Sequence, residues 1–250
     1  MTTDDPGLDS EAILAMLETA HAHEEPRPGE GLRDRKKRHQ RQRISNVATA
    51  LFLAEGFDTV SVSRIAAACE VSEKTVFNYF PTKESMFLDR SGEMAATMAG
   101  AVRHPDGTLS ADVARALAGG GPRYRWASLD ETDALRLFRL FCEVAQSSPA
   151  IRTAIDAEFG SFTAVLGSAL AERIGADPDA AEVRLTAVVI LGLAHVRTLA
   201  TFTHVREVSS FAALGRAVRG DLERALLLAA PMLDAFDGLR LRSASSLRRD

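Results

Sequence analysis

The chain has 250 residues, of which 46% are hydrophobic and 26% charged, a composition typical of a soluble globular protein. That length allows one or two domains. We found no run near the roughly 18 apolar residues that cross a bilayer and no signal peptide in the acidic N-terminus, so we expect a cytoplasmic protein. The net charge of −4 is uneven, because residues 1–30 carry −7 and residues 31–90 carry +4, which predicts a local surface for a polyanion.

Residues 1–32 form an acidic extension interrupted by proline and glycine at both ends. Between these breakers, Ile13, Leu14, Met16 and Leu17 allow a short amphipathic helix, which is too short to be stable alone. We favour a largely disordered extension. The alternative is a helix that docks on the protein's own body or shields the basic segment that follows.

A dense basic segment follows the extension. Its members are Arg33, Arg35, Lys36, Lys37, Arg38, Arg41 and Arg43. Such a segment is either a solvated face or an arm that contacts DNA phosphates or the minor groove. We favour the arm, because the segment leads directly into the motif described next.

A helix is predicted after the basic segment, because apolar residues recur at helical spacing from Ile44 to Phe52. Gly56 is well placed to end this helix in the left-handed conformation. Beyond it, Phe57 is expected to fold back onto a small helical core.

Two further short helices are predicted between residues 61 and 80. The residues Val62, Ile65, Ala66 and Cys69 share one helical face. Residues 70–72 then break the pattern, and Ser72 is a good N-cap for a second helix. Two short helices joined by such a turn form a helix-turn-helix unit, whose second helix can reach base edges in DNA.

This stretch resembles the TetR family of bacterial one-component transcription regulators. The matching residues are Ile44, Ala48, Leu51, Phe52, Gly56, Phe57, Thr59–Val62, Ile65, Ala66, Val71, Ser72, Thr75–Phe77, Tyr79–Pro81, Lys83 and Glu84. The chain departs from the family at Glu70, where glycine is usual in the turn. A residue with a Cβ is disfavoured at positive φ.

The predicted DNA contacts lie on and around the second helix of the motif. Lys74, Thr75 and Asn78 are the expected base readers, because such side chains can pair with base edges or contact a thymine methyl group. We expect Tyr79 and Lys83 to contact phosphates, with Lys83 in the first turn of a helix that is capped by Thr82 and runs towards Gly100. The remaining candidate contacts are Arg43, Ser63 and Arg64.

The rest of the chain is predicted to be helical. The expected helices are 110–118, 130–146, 149–174, a helix from 177 to about 203, and 209–230, with Pro231 ending the last one and a basic tail after it. The helix that starts at Asp177 is apolar nearly all round and should be buried on all sides. The resemblance implies that the last two helices pair with those of a second subunit in a four-helix interface.

A ligand site is predicted more weakly in this C-terminal part. The candidate pocket residues are Trp126, Phe138, Phe141, Phe162 and His195, each of which could equally be an ordinary core residue. No histidine, including His195, has a trusted metal-site spacing, and Cys69 and Cys142 fit reduced core residues, so we expect no metal and no cofactor. No catalytic motif was found, so we expect no enzyme.

We therefore predict an all-α protein: an N-terminal three-helix helix-turn-helix (homeodomain-like) domain plus a C-terminal helical ligand-binding and dimerisation domain. The predicted divisions are the extension at 1–32, the DNA-binding domain with its basic arm at 33–82, the C-terminal domain at 83–230 and a tail at 231–250. The expected function is a homodimeric regulator, a repressor by resemblance, that binds a near-palindromic double-stranded operator and responds to an unknown small molecule, with no membrane partner. The alternatives are an enzyme or a helical interaction module that uses the C-terminal cavity.

Overall fold

The structure is a computed structural model, and it describes residues 8–21, 31–89, 92–119 and 128–246. These residues form helices and turns and contain no strand, which confirms the all-α prediction. The helices are α1 (Ser10–His21), α2 (Leu32–Glu55), α3 (Val62–Ala68), α4 (Glu73–Tyr79), α5 (Lys83–Phe87), α6 (Gly92–Arg103), α7 (Leu109–Ala118), α8 (Glu131–Ser147), α9 (Pro149–Ile174), α10 (Ala181–His204) and α11 (Phe211–Ser246).

The chain divides into two compact units. Unit 1 contains Met1–Asp89 together with Pro122–Ala154, and unit 2 contains Arg90–Gly121 together with Ile155–Asp250. The structural boundary therefore falls after Asp89, and the functional division proposed at residue 83 stays a prediction.

Helix α1 replaces part of the predicted disordered extension. It packs on α2, and it buries Ile13 and Leu17, which are 0% and 2% exposed. The Asp9 carboxylate accepts a hydrogen bond from the Ala12 amide at 2.8 Å and so caps the first turn. A 12-residue helix is marginal alone, and burial of two aliphatic side chains, about 1.5–3 kcal/mol each, supplies what local propensity lacks.

The basic segment belongs to α2 and is helical, where we had expected an arm ahead of the first helix. Its residues are mostly exposed from Arg33 to Arg43, whereas every residue from Ile44 to Leu53 is buried. Gly56 ends α2 with φ 86° and ψ 146°, so its φ is positive as predicted, but its ψ lies outside the left-handed helical region. The basic turns of α2 thus continue directly from the core of unit 1.

The predicted helix-turn-helix is present as α3 and α4. The hydroxyls of Ser61 and Ser72 accept hydrogen bonds from the third amide of each helix, at 3.2 and 3.1 Å. Glu70 occupies the turn with φ 56°, the left-handed conformation that glycine normally supplies. Its amide bonds to the Ala67 carbonyl and the Val71 amide bonds to the Ala66 carbonyl, which is the paired arrangement that ends many helices.

Buried aromatic side chains hold the helices of unit 1 together. The Phe52 ring lies 4.8 Å from that of Phe57, and Phe87 stacks on Phe141 of α8 at 4.3 Å. Val76 and Phe80 are both 0% exposed. These contacts fix one side of α4 to the core and leave its other side outward.

The helix predicted from Lys83 to Gly100 is interrupted. Helix α5 has a capping box formed by Thr82 and Ser85, and it ends after Phe87, because Leu88 has ψ 14°. The next helix begins at Gly92 in unit 2. The apolar spacing of the sequence continues across this point, so it did not reveal the break.

In unit 2, the observed ends of α9, α10 and α11 can be compared with the helix ends predicted from the sequence. Helix α9 ends at Gly175 with φ 72°, as expected. Helix α10 begins at Ala181, three residues after Pro178, because the Asp177 carboxylate and carbonyl accept from the Asp179 and Ala180 amides and close a separate turn first. Helix α11 continues through Pro231, where we had expected it to stop.

A buried ionic network explains why α11 continues past Pro231. Arg173 of α9 donates to Asp237 of α11 at 2.6 and 2.9 Å and to Asp112 of α7 at 2.8 Å. Asp237 and Asp234 also accept from the Leu109 and Ser110 amides at the start of α7. Carboxylates are favourable at a helix N-terminus, so Asp234 and Asp237 stabilise the start of α7. These contacts of α11 beyond Pro231 compensate for the backbone hydrogen bond that the proline cannot make.

Helix α10 is only partly buried within one chain, and its burial on all sides, which the prediction assigned in part to a second subunit, stays a prediction. Val183 and Ile190 are 0% exposed, whereas Leu185, Val188 and Leu199 are 57%, 57% and 50% exposed. The helix is also long and apolar enough to cross a membrane, which the sequence analysis had not found. One such helix is weak evidence of a membrane span, because core helices of soluble proteins share this length and composition.

Candidate nucleic-acid interface

The outward side of α4 is the candidate interface. Lys74, Phe77 and Asn78 are exposed, with Phe77 at 46%, and they lie on the helix whose other side is anchored by Val76 and Phe80. Lysine and asparagine supply hydrogen bonds suited to guanine and adenine edges. An exposed aromatic ring beside them offers an apolar contact, for example with a thymine methyl group.

Thr75, the third predicted base reader, is placed differently. It is half-buried, its amide donates to the Ser72 hydroxyl, and its own hydroxyl lies 2.9 Å from the same oxygen. The hydroxyl thus takes part in capping α4, so the methyl group is the part of Thr75 better suited to a base contact.

The two candidates on α3 are both exposed and both have neighbours within the chain. The Ser63 hydroxyl lies 2.8 Å from that of Ser61, and Arg64 pairs with Glu55 at 2.6 Å. An exposed pair of this kind contributes roughly 0–1 kcal/mol to stability. A phosphate could therefore replace Glu55 as the partner of Arg64 at little cost in free energy.

Tyr79 and Lys83 flank the C-terminal end of α4, and both are half-buried. The Lys83 ammonium lies 4.2 Å from the centre of the Phe57 ring, a cation–π contact. The Tyr79 carbonyl accepts a hydrogen bond from the Arg41 guanidinium. Their contacts with phosphate stay predictions.

Arg43 lies on α2, exposed, at the junction between its basic and its buried part. Its charge acts on Cys69 at the end of α3: burial raises the pKa of the Cys69 thiol, and Arg43 lowers it in part. A buried thiol with a raised pKa fits the predicted reduced core residue.

The sequence analysis missed the role of Arg41. It had grouped Arg41 with the other basic residues, but the guanidinium binds the Tyr79 carbonyl and the Asp89 carboxylate and lies over the Phe80 ring. These partners are 38 to 48 residues away in the sequence. No local pattern connects residues that far apart.

The predicted ligand residues that the structure describes are divided between the two units. Phe138 is buried in unit 1 and Phe141 stacks there on Phe87. In unit 2, Phe162 and His195 lie 6.3 and 5.5 Å from Phe159, ring centre to ring centre.

The structure bears differently on His195 and Trp126, the two remaining ligand candidates. His195 is exposed on α10, where we had expected either a satisfied core histidine or a ligand contact facing a cavity. Trp126 lies outside the described residues. The described residues contain no group of three or more histidine, cysteine or acidic side chains that could hold a metal ion.

Comparison with known proteins bears on the interface. Residues 44–89 match the family model of bacterial regulatory proteins of the tetR family. This segment belongs to the tetR family. The segment comprises the buried part of α2, both helices of the helix-turn-helix and α5. It therefore contains every predicted DNA contact except Arg43.

A curated relative supports the same assignment. The HTH-type transcriptional regulator TcmR of Streptomyces glaucescens is 43% identical over 60 residues, which are 24% of this chain and 26% of that regulator. The match thus spans about a quarter of the relative's length.

Two solved structures align over most of the chain. One, from Mesorhizobium loti MAFF303099, is assigned to the tetR-family transcriptional regulators; it is 21% identical, covers 77% of this chain and 98% of its own, and has a TM-score of 0.43. The other, a tetR-family transcriptional regulator from Streptomyces coelicolor, is 19% identical, covers 83% and 89%, and has a TM-score of 0.41. Scores this low carry no argument about function.

Proposed function

We propose that the chain is a DNA-binding transcriptional regulator that reads its operator with the outward side of α4. The observation that supports this most strongly is the exposure of Lys74 and Asn78 on a helix that is capped at Ser72 and fixed by buried Val76 and Phe80. A rigid helix that presents polar side chains is what base readout in the major groove requires.

The basic turns of α2 supply the second part of the proposal. Their exposed lysines and arginines, Arg43 included, contact phosphates beside the groove that α4 enters. Each phosphate neutralised changes the slope of log affinity against log salt by about 0.9. This contribution gives affinity and orientation but no sequence preference.

A homodimer is the third part. Leu185, Val188 and Leu199 expose an apolar side of α10, and Leu227 and Leu228 of α11 are 77% and 85% exposed. A second copy of the chain would cover these side chains, as the family resemblance implies. Two copies of α4 would then enter successive major grooves about 34–36 Å apart and bind a near-palindromic operator.

A small molecule bound in the C-terminal part would modulate this binding, and the regulator would act as a repressor in the cytoplasm. The candidate contacts in unit 2 are Phe162 and His195, and their shared neighbour Phe159, 6.3 and 5.5 Å away between ring centres, supports this choice. A ligand can shift the protein only by binding one of its two states more tightly.

Selection of DNA by the purified chain tests the proposal. Duplexes retained from a random library should share a near-palindromic sequence, and Val188→Asp should abolish retention by preventing the dimer while leaving the helical content unchanged. Repeating the selection with candidate metabolites tests the effector. Retention of unrelated sequences only, or a single copy in the retained complex, would contradict the proposal.

A further inference from the structure

We propose that Arg41 is a positioning residue that fixes the C-terminal end of α4 and links it to the point where unit 1 continues into unit 2. This inference rests on the proposed function and adds a route by which DNA reading is regulated. It concerns one guanidinium with three partners, all within unit 1.

The geometry around Arg41 is specific. Its Nη2 donates to Oδ1 of Asp89 at 2.7 Å, its Nη1 donates to the Tyr79 carbonyl, and its central carbon lies 4.1 Å from the centre of the Phe80 ring. A planar guanidinium with several fixed donors can serve three such partners together, and a lysine ammonium cannot.

The contact with Tyr79 acts on the reading helix itself. Tyr79 is the last residue of α4, so its carbonyl has no hydrogen-bond partner within the helix. A cation at a helix C-terminus is favourable as well. Because Phe80 is 0% exposed and packed in the core, the guanidinium above its ring ties the end of α4 to α2.

The contact with Asp89 links this end to the chain that leaves the unit. The Asp89 side chain is 11% exposed, and Asp89 is the last residue of unit 1, after which the chain continues into unit 2. A change that moved the chain at residue 89 would draw the carboxylate from Arg41. The guanidinium would then lose one of the partners that hold it on the Tyr79 carbonyl, and the end of α4 would be freed.

The charge of Arg41 also distinguishes it from its basic neighbours. Both Arg41 and Arg43 are exposed on α2, but the guanidinium of Arg41 is paired with the largely buried Asp89 carboxylate. Arg41 should therefore matter for sequence preference, and Arg43 for the general attraction to phosphate.

The test compares Arg41→Lys, Asp89→Asn and Arg43→Gln in the full chain. Each is titrated with a duplex that the wild-type chain selects from a random library and with a scrambled duplex, over a range of salt concentrations. We expect Arg41→Lys to weaken binding to the selected duplex about tenfold, with the scrambled duplex and the salt slope unchanged, because a charged hydrogen bond is lost but the positive charge remains. Asp89→Asn should lower the preference for the selected over the scrambled duplex by a similar factor, and the double variant should be no worse than either single one.

Arg43→Gln is the matched control for a phosphate contact. It should weaken binding to both duplexes alike and flatten the salt slope by about 0.9. The inference is overturned if Arg41→Lys binds both duplexes like the wild type, because the positive charge alone would then account for the role of Arg41.

Two further outcomes complete the test. Wild-type specificity in Asp89→Asn would remove the link to residue 89 and overturn the inference. If circular dichroism shows that both Arg41→Lys and Asp89→Asn are unfolded, the inference is also overturned, because the ion pair would then be needed for the stability of unit 1 as a whole. If the wild-type chain selects no duplex at all, the proposed function itself fails, which is a separate result.

Discussion

Glu70 occupies a backbone conformation that favours glycine, and replacing it with glycine should stabilise unit 1. Its φ of 56° lies in the left-handed region, and a residue with a Cβ is less stable there by roughly 1–2 kcal/mol. Glycine removes that strain but loses about 0.5–1 kcal/mol through the greater freedom of the unfolded chain. Taking the midpoints of these two ranges, we expect Glu70→Gly to raise the free energy of unfolding by about 0.75 kcal/mol.

The backbone hydrogen bonds of the turn should persist in this variant. They join the Glu70 and Val71 amides to the Ala67 and Ala66 carbonyls at 3.1 and 3.0 Å, and they do not use the exposed Glu70 side chain. Hydrogen exchange of the amides of α3 and α4, measured in the full chain, reports the stability of this unit without requiring the whole protein to unfold in one step.

Glu70→Ala is the matched control, because it removes the carboxylate and keeps a Cβ. We expect its stability to stay within about 0.5 kcal/mol of the wild type. If alanine stabilised the unit as much as glycine, the gain would come from the lost charge. If glycine gave no gain, the turn would carry no strain, and the reasoning from φ would be refuted.

Three other predictions concern stability and reactivity. Arg173→Ala should lower the free energy of unfolding by about 3 kcal/mol in a urea titration, because Asp112 is 0% exposed and would keep only the exposed Arg115, 3.3 Å away, as a cationic partner; a loss below about 1 kcal/mol would show that the network adds little. Pro231→Ala should raise it by about 1–3 kcal/mol by restoring an amide inside α11, and an unchanged midpoint would contradict this. Burial raises the pKa of the Cys69 thiol from its ordinary value of 9.0. The stability that the buried neutral thiol contributes should therefore be complete below the pKa of the unfolded chain and should decline as the pH rises towards the pKa of the folded protein. Rapid alkylation of native Cys69 at pH 8 would contradict that burial.

Features fixed by neighbouring residues could be predicted from the sequence. Ser72 and Thr82 cap the helices that they were expected to cap, Gly175 ends α9, and Glu70 takes the positive φ that its place in the turn requires. In each case the cause lies within about four residues along the chain, so the residue pattern contains it.

Features fixed by distant partners could not be predicted. Helix α1 depends on burial of Ile13 and Leu17 against α2, and α11 passes Pro231 with contacts to residues more than 60 positions away. The engagement of Arg41 is of the same kind. From the sequence alone, residues 1–32 were predicted as a disordered extension, Pro231 as the end of a helix and Arg41 as part of a basic arm.

The central claim is that the outward side of α4 reads bases. Its most direct test is to measure affinity for every single-base variant of a selected duplex, with the wild type, Lys74→Ala, Asn78→Ala and Lys83→Ala. We predict that Lys74→Ala and Asn78→Ala each lose about 1–3 kcal/mol and become indifferent to the base at one position in each half-site, whereas Lys83→Ala weakens binding to all variants equally. Unchanged base preferences in both Lys74→Ala and Asn78→Ala would show that another surface reads the DNA.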